Sequence, residues 1–258
     1  MKTRWGHWLL LCGLAGITVT ANPADKSRDI LYQVSTINAL QAGYFKGFVT
    51  CGELMKHGDV GLGTFNALEG EMIVLDRTVY QARVDGTVQA VAPTTRTPFA
   101  NVTFFDPDKT FALRDSTLDQ LQKELDRHII HRNLFYAIRI EGIFSAVKVR
   151  SVPRQSQPYP KLVEAVKKQV IFNLQDIQGT IIGFWCPEFV PTLNVPGFHF
   201  HFLSADRQRG GHVLDCRLIE GQVCLDLTPV FTLQLPEKGF GRLELSGSHT
   251  RELKAVEQ

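Results

Sequence analysis

The sequence predicts a β-rich α+β fold with two mixed-sheet domains and few helices, and three observations predict it. Most of the 258 residues fall into alternating or β-branched runs bounded by turn signals, which is typical of strands. Only two segments have the spacing of amphipathic helices. The composition, 44% hydrophobic and 21% charged, can fill one large or two modest cores. It excludes a disordered chain, collagen and a multi-span membrane protein.

The first 21 residues have the pattern of a secretory signal peptide. Two basic residues precede an apolar run over residues 8–19, and the small residue Ala21 precedes Asn22. The run is about a dozen residues long, whereas a membrane-spanning helix needs roughly 20. We therefore expect cleavage near Ala21/Asn22, export to the periplasm or the outside, and no stable membrane anchor.

The net charge argues against a nucleic-acid-binding protein. The chain has 28 Lys and Arg against 26 Asp and Glu, a formal charge of +2. Removal of the expected signal peptide takes away two basic residues and no acidic one, which leaves a balanced chain. Nucleic-acid binders normally carry a clear positive excess. We therefore expect no nucleic-acid partner, and balanced charge permits self-association.

The predicted strands occupy both halves of the chain. Residues 72–91 are rich in β-branched side chains and contain Asp85-Gly86, a strong hairpin signal. Residues 134–152 are predicted to form two strands around a turn at Glu141-Gly142. Further strands are predicted over residues 180–186, 197–203, 212–227 and 230–235.

Two helices interrupt the predicted strands. The first is predicted to begin at Ser116, with Asp119 as its capping acid and apolar residues at helical spacing as far as Ile129. The second is predicted over about 160–169, after two prolines. Between them, residues 153–160 have the most linker-like composition. We therefore predict an N-terminal β-rich domain over 22–155 and a C-terminal domain over 156–258.

Four cysteines would remain in the exported chain, and two of them are candidates for a disulfide. Cys216 and Cys224 flank the turn-like Glu220-Gly221, so they could face each other across a hairpin in an oxidising compartment. Two unrelated buried thiols are an equally good interpretation. Neither Cys51 nor Cys186 forms a Cys-x-x-Cys pair.

Residues 197–216 contain the strongest candidate for a functional site. His199 and His201 alternate with three phenylalanines, so in a strand the imidazoles share one face and the phenyl rings share the other. After a polar, glycine-containing loop, His212 begins the next predicted strand. If this strand pairs antiparallel with the strand of His199 and His201, it brings the His212 ring toward the same point. Three imidazoles on adjacent strands leave coordination positions open, as in a catalytic zinc site. We therefore predict a Zn²⁺ site on strands of the C-terminal half.

The histidine spacing alone does not select the reaction. Zinc with open positions can activate water for hydrolysis or polarise a carbonyl group. The His-Glu-x-x-His and Gly-x-Ser-x-Gly motifs are absent, which argues against two classes of hydrolase. The alternatives are another metal-dependent hydrolase, a cupin-like oxygenase that uses the same histidines, and a secreted zinc-binding module without catalytic activity.

Several separated blocks together form a specific pattern over nearly the whole exported chain. They are GTFNALEGE (63–71), RNLFYAIRIEG (132–142), RSVPRQSQPYPKLVEAVK (150–167), GTIIGFWCPEF (179–189), GFHFHF (197–202) and GGHVLDC (210–216). The blocks resemble the α-acetolactate decarboxylase family. This resemblance implies conversion of 2-acetolactate into (R)-acetoin and CO₂ through a metal-chelated enediolate, with Zn²⁺ held by His199, His201 and His212.

The resemblance also implies roles for residues whose local spacing indicates only solvated charges. Glu71, Arg150 and Glu257 correspond to catalytic residues, and Thr64 lies near the substrate, as Arg150 does. Arg150 would hold the substrate carboxylate, because its planar guanidinium matches that group. Glu71 and Glu257 would jointly handle the proton that sets the configuration of acetoin. For the tail position Glu252 is a neighbouring candidate.

The family's architecture is implied in the same way. It has two β-rich domains, with the active site between a sheet and the C-terminal tail, and its members are commonly homodimers. The resemblance therefore implies a small-molecule substrate, 2-acetolactate, and a second copy of the chain as the partner.

Overall fold

The computed structural model describes residues 28–245 of the chain. The expected signal peptide, Glu252 and Glu257 lie outside these residues. The described part contains fourteen strands and four α-helices, which confirms the predicted β-rich class. The strands are β1 (Ile30–Val34), β2 (Val49–Thr50), β3 (Val60–Thr64), β4 (Glu71–Leu75), β5 (Thr78–Ala82), β6 (Val88–Ala90), β7 (Arg96–Thr97), β8 (Ala100–Thr103), β9 (Lys109–Thr117), β10 (Phe135–Ser151), β11 (Val170–Cys186), β12 (Gly197–Ser204), β13 (Gly210–Thr228) and β14 (Val230–Gln234). The helices are α1 (Ile37–Gln41), α2 (Cys51–Leu54), α3 (Leu118–His128) and α4 (Leu162–Val166).

One large sheet has seven strands in the order β14-β1-β8-β3-β4-β5-β6. It is mixed, because β1 pairs with β14 in parallel and its other pairings are antiparallel. The predicted hairpin at Asp85-Gly86 connects β5 and β6, and Gly86 adopts the positive φ of 83° that this turn requires. Strands β3 and β4 are buried along their whole length, so both faces of the sheet centre are covered.

The second large sheet is antiparallel and closes on itself. Strand β10 pairs with both β11 and β13, and β12 pairs with the same two strands. The four strands therefore form a ring, to which β9 adds at β13. Buried apolar side chains of the ring, among them Phe144 and Phe202, form one core with Leu121 and Leu125 of α3. Burial of these side chains is the main free-energy gain that holds the ring closed.

The predicted turn at Glu141-Gly142 is wrong, because β10 runs straight through it. Gly142 lies opposite Gly179 on one neighbouring strand and Gly221 on the other. A Cβ atom at Gly142 would lie 2.5 Å from the carbonyl oxygen of Glu220. These glycines therefore allow close approach of adjacent strands in a strongly curved sheet, instead of reversing the chain.

The same correction applies to the hairpin at Glu220-Gly221, which is the middle of the 19-residue strand β13. Cys216 and Cys224 lie eight residues apart on this strand, which is about 26 Å of extended chain. Both are free thiols. A disulfide between them is therefore excluded by the geometry of the strand.

Helix α3 begins one residue later than the predicted capping pattern. Its N-cap is Thr117, whose hydroxyl accepts from the backbone N–H of Gln120 at 3.3 Å, while the Gln120 side chain accepts from the Thr117 N–H at 2.9 Å. Helix α4 is shorter than predicted, because Lys161 before it is an extended N-cap residue and the helix ends at its C-cap Lys167. Helices α1 and α2 have five and four residues, too few for a periodic sequence signal.

The domain boundary between residues 155 and 156 stays a prediction. Each large sheet contains strands from both sides of that position. Within residues 28–245, no helix is long and apolar enough to cross a membrane.

Candidate metal centre

The register of three neighbouring strands places four polar side chains on one face of the ring. Arg150 on β10 lies directly opposite His212 on β13, and His212 lies opposite His201 on β12. Residues opposite each other across a ladder share a face, and His199 shares it because it lies two positions from His201. The intervening Phe200 points the other way into the core of the ring and is 3% exposed.

The three imidazoles are close enough to bind one metal ion. One ring nitrogen of each histidine lies within 4.8 Å of the others. His199 Nε2 and His212 Nδ1 are 3.1 Å apart. A tetrahedral zinc ion with bonds of about 2.0–2.1 Å separates its nitrogen ligands by about 3.3 Å. Within residues 28–245, this is the one cluster of three or more His, Cys, Asp or Glu side chains with such spacing.

The ring of His201 is oriented by a backbone contact from the other sheet. Its Nδ1 lies 2.8 Å from the carbonyl oxygen of Met72 on β4. A carbonyl oxygen can only accept, so Nδ1 carries the proton and Nε2 keeps its lone pair. Such a second contact commonly fixes the tautomer of a metal-binding histidine.

Burial keeps two of the imidazoles neutral. Desolvation, with a smaller contribution from the nearby charge of Arg150, lowers the pKa of His199 to about 3. The pKa of His201 is well below its usual range, chiefly because of burial and then because of His199. Neutral imidazole is the form that binds a metal, so these two histidines need no deprotonation near neutral pH.

The seven-stranded sheet contributes two further side chains, from the hairpin between β3 and β4. Thr64 and Glu71 lie opposite each other in this ladder, and both are buried. Glu71 Oε2 is 3.8 Å from His201 Nε2. The Thr64 hydroxyl donates to the carbonyl oxygen of Gly70 at 2.8 Å. The packing of the two sheets therefore brings these residues to the histidines.

Arg150 is a buried cation, 4% exposed. Its Nη1 donates to Gln169 Oε1 at 3.1 Å. Its Nε is buried and has no hydrogen-bond partner among the described residues. A buried N–H without a partner is costly, so this guanidinium is suited to an anion that enters the cavity.

All six of these side chains line one cavity with a volume of about 50 Å³. One ordered water needs about 10–15 Å³ of such volume, so the cavity has room for a few water molecules. The rest of its wall is apolar, and helices α1 and α4 each contribute two side chains to it. The apolar residues are Ile37, Leu40, Leu68, Phe99, Val152, Leu162 and Val166.

The structure thus brings together Thr64, Glu71, Arg150 and the three histidines that were selected from the sequence. Glu257, the remaining predicted site residue, lies outside the described residues, as does Glu252. Sequence reasoning missed Gln169 and the apolar side chains of α1. No local signal marks either, because Gln169 follows a helix of five residues and α1 is equally short.

Comparison with known proteins gives one consistent family. The family model described as alpha-acetolactate decarboxylase matches residues 31–246. The alpha-acetolactate decarboxylase of Methanosarcina mazei is 45% identical over 237 residues, which cover 91% of this chain and 82% of that protein. The enzyme of Brevibacillus brevis is 43% identical over 221 residues, 84% of this chain and 76% of that protein.

The solved structures agree. The crystal structure of alpha-acetolactate decarboxylase from Bacillus subtilis strain 168 superimposes with a TM-score of 0.86 at 39% identity, over 88% of this chain and 99% of that one. The arrangement of sheets described above is therefore similar to that of a known decarboxylase.

Proposed function

We propose that a zinc ion held by His199, His201 and His212 serves the reaction of this chain. The chain belongs to the α-acetolactate decarboxylase family and converts 2-acetolactate into (R)-acetoin and CO₂. The observation that best supports the zinc proposal is the convergence of three ring nitrogens within 4.8 Å in a cavity that also contains Glu71 and Arg150. Family membership does not favour the hydrolase, oxygenase or binding-module alternatives.

The donor set fits zinc. Three imidazoles without a cysteine or a closing fourth ligand from residues 28–245 resemble catalytic zinc sites more than structural ones. When bound, zinc would supply Lewis-acid polarisation of the substrate ketone next to the carbon that loses CO₂.

Arg150 holds the carboxylate that leaves as CO₂. Its guanidinium is planar, is always charged and has an unpartnered Nε in the cavity, so it can form a charge-assisted contact with a carboxylate. Its interaction with the substrate weakens as the carboxylate becomes neutral CO₂. This weakening favours release of the gas.

Thr64 and Glu71 act on the rest of the substrate. The Thr64 hydroxyl donates its proton to Gly70, so toward the cavity it offers lone pairs that can accept from the substrate hydroxyl. Glu71, together with Glu257 of the tail, delivers the proton that replaces CO₂. Delivery from one side of the planar intermediate yields one configuration of acetoin.

The cellular setting is also part of the proposal. The protein is exported after cleavage near Ala21/Asn22, carries no stable membrane anchor, binds no nucleic acid and forms a homodimer. N-terminal sequencing of the protein from its native host tests the cleavage, and light scattering of the purified protein tests the dimer.

The decisive experiment measures acetoin and bound metal on the same sample. We expect one zinc per chain, loss of acetoin formation on chelation and recovery on addition of zinc. His201→Ala should lose both metal and activity, whereas His131→Ala, an exposed histidine away from the cavity, should lose neither. Glu71→Gln should keep zinc and lose turnover. Full activity in a metal-free preparation would contradict the zinc proposal.

A further inference from the structure

The side chain that contacts the Arg150 guanidinium is an amide. Arg150 Nη1 donates to Gln169 Oε1 at 3.1 Å, and none of the ion pairs within residues 28–245 includes Arg150. The contrast within the protein is Arg139, which forms ion pairs with Asp76 and Glu141 at the surface. Of these two arginines, Arg150 in the cavity has a neutral hydrogen-bond partner, whereas Arg139 has two carboxylates.

A neutral acceptor has a specific consequence for anion binding. A carboxylate side chain beside Arg150 would pair with the guanidinium N–H groups and neutralise the positive charge of Arg150. A substrate carboxylate would then have to displace that side chain. An amide oxygen accepts one of the five guanidinium N–H groups and leaves the charge and the other donors available. The amide therefore orients the guanidinium without competing with an anionic ligand.

The backbone around Gln169 is fixed on both sides. Its N–H donates to the carbonyl oxygen of Val166, the last residue of α4, at 2.9 Å. The next residue, Val170, begins β11 and pairs with Ser151, which adjoins Arg150. Gln169 is half-buried, and its side chain reaches the guanidinium from a hydrogen-bonded turn. This turn connects the apolar wall formed by α4 to the cationic side of the cavity.

We propose that Gln169 is a positioning residue that orients the Arg150 guanidinium for a carboxylate ligand without itself neutralising the positive charge. The proposal rests on the role proposed above for Arg150. In this proposal, the cavity binds a carboxylate more tightly than an uncharged analogue because residue 169 is neutral.

Gln169→Glu is the sharpest test, because it changes charge at nearly constant shape. We expect its KM for acetolactate to rise at least tenfold, with kcat changed less than threefold. Two test ligands of similar size separate charge from general damage: 2-hydroxy-2-methylpropanoate carries a carboxylate and 2,3-butanediol carries none. The variant should bind the carboxylate at least tenfold more weakly and the diol as the wild type does.

Two further variants complete the design. Gln169→Ala should lose orientation without adding charge, so kcat/KM should fall threefold to tenfold, and it remains informative if the glutamate variant does not fold. Gln175→Glu adds the same charge at an exposed position of β11 and should leave every parameter unchanged. Zinc content should equal that of the wild type in all three.

The outcomes separate this inference from the proposed function. Failure of the wild type to form acetoin would overturn the proposed function itself. If the wild type and Gln175→Glu are active and Gln169→Glu matches them in KM and in carboxylate binding, only the inference about Gln169 is wrong. An equal loss of affinity for the carboxylate and the diol would also overturn it, since that pattern indicates damage to the cavity.

Discussion

Asp226 allows a quantitative prediction about stability, because it is a fully buried carboxyl group close to other acids. Its Oδ2 accepts from the backbone N–H of Asp106 at 3.2 Å, and its Oδ1 has no partner among the described residues. Burial, followed by the charges of Asp29, Asp108 and Asp106, raises the pKa of Asp226 to about 8. The folded protein therefore holds this carboxyl group protonated at neutral pH, whereas the unfolded chain ionises it.

The sign of the pH dependence follows from this difference. Between the unfolded pKa of 3.8 and the folded value of about 8, the folded state binds one proton more, so the free energy of unfolding falls as pH rises. From pH 6.5 to 8 the two values give a loss of about 1.6 kcal/mol, at 1.36 kcal/mol per pKa unit.

Asp226→Asn removes the titration and nearly keeps the shape. Denaturant unfolding of zinc-loaded wild type and variant at several pH values from 6.5 to 8 should show the variant gaining about 1.6 kcal/mol relative to the wild type over that range. Asp176→Asn, at an exposed position, is the matched control and should follow the wild type. Parallel pH dependences of the wild type and Asp226→Asn would refute the reasoning.

Three further predictions concern the cavity wall, a helix cap and the thiols. Leu162→Ala should raise kcat/KM for the ethyl homologue of acetolactate relative to acetolactate itself, because it enlarges the apolar wall, and an unchanged ratio would argue against that role. Thr117→Ala should lower the free energy of unfolding by about 1 kcal/mol in urea titrations, because α3 loses its N-cap, and no change would mean that the cap is dispensable. Peptide mapping without reduction should find Cys216 and Cys224 as free thiols after air oxidation, and a peptide that links them would contradict the continuous strand.

Local patterns were sufficient where one strand or helix decides the outcome. The alternation of His199 and His201 with phenylalanines requires only an extended chain, and the structure has that chain as β12. The hairpin at Asp85-Gly86 forms because its glycine tolerates a positive φ. The same reasoning failed at Glu141-Gly142 and Glu220-Gly221, where glycines serve close packing between strands.

The sequence by itself therefore determined the β-rich class, the pair of histidines on one face and the family to which its motifs point. Only the tertiary structure decided that Arg150 lies opposite His212, that Glu71 lies beside His201, and that Gln169 contacts Arg150. The physical reason is that alternation and capping depend on neighbours in sequence, whereas burial and cross-strand register depend on segments far apart in the chain. A charged side chain in isolation favours solvent, and only the closure of two sheets around it makes it part of a cavity.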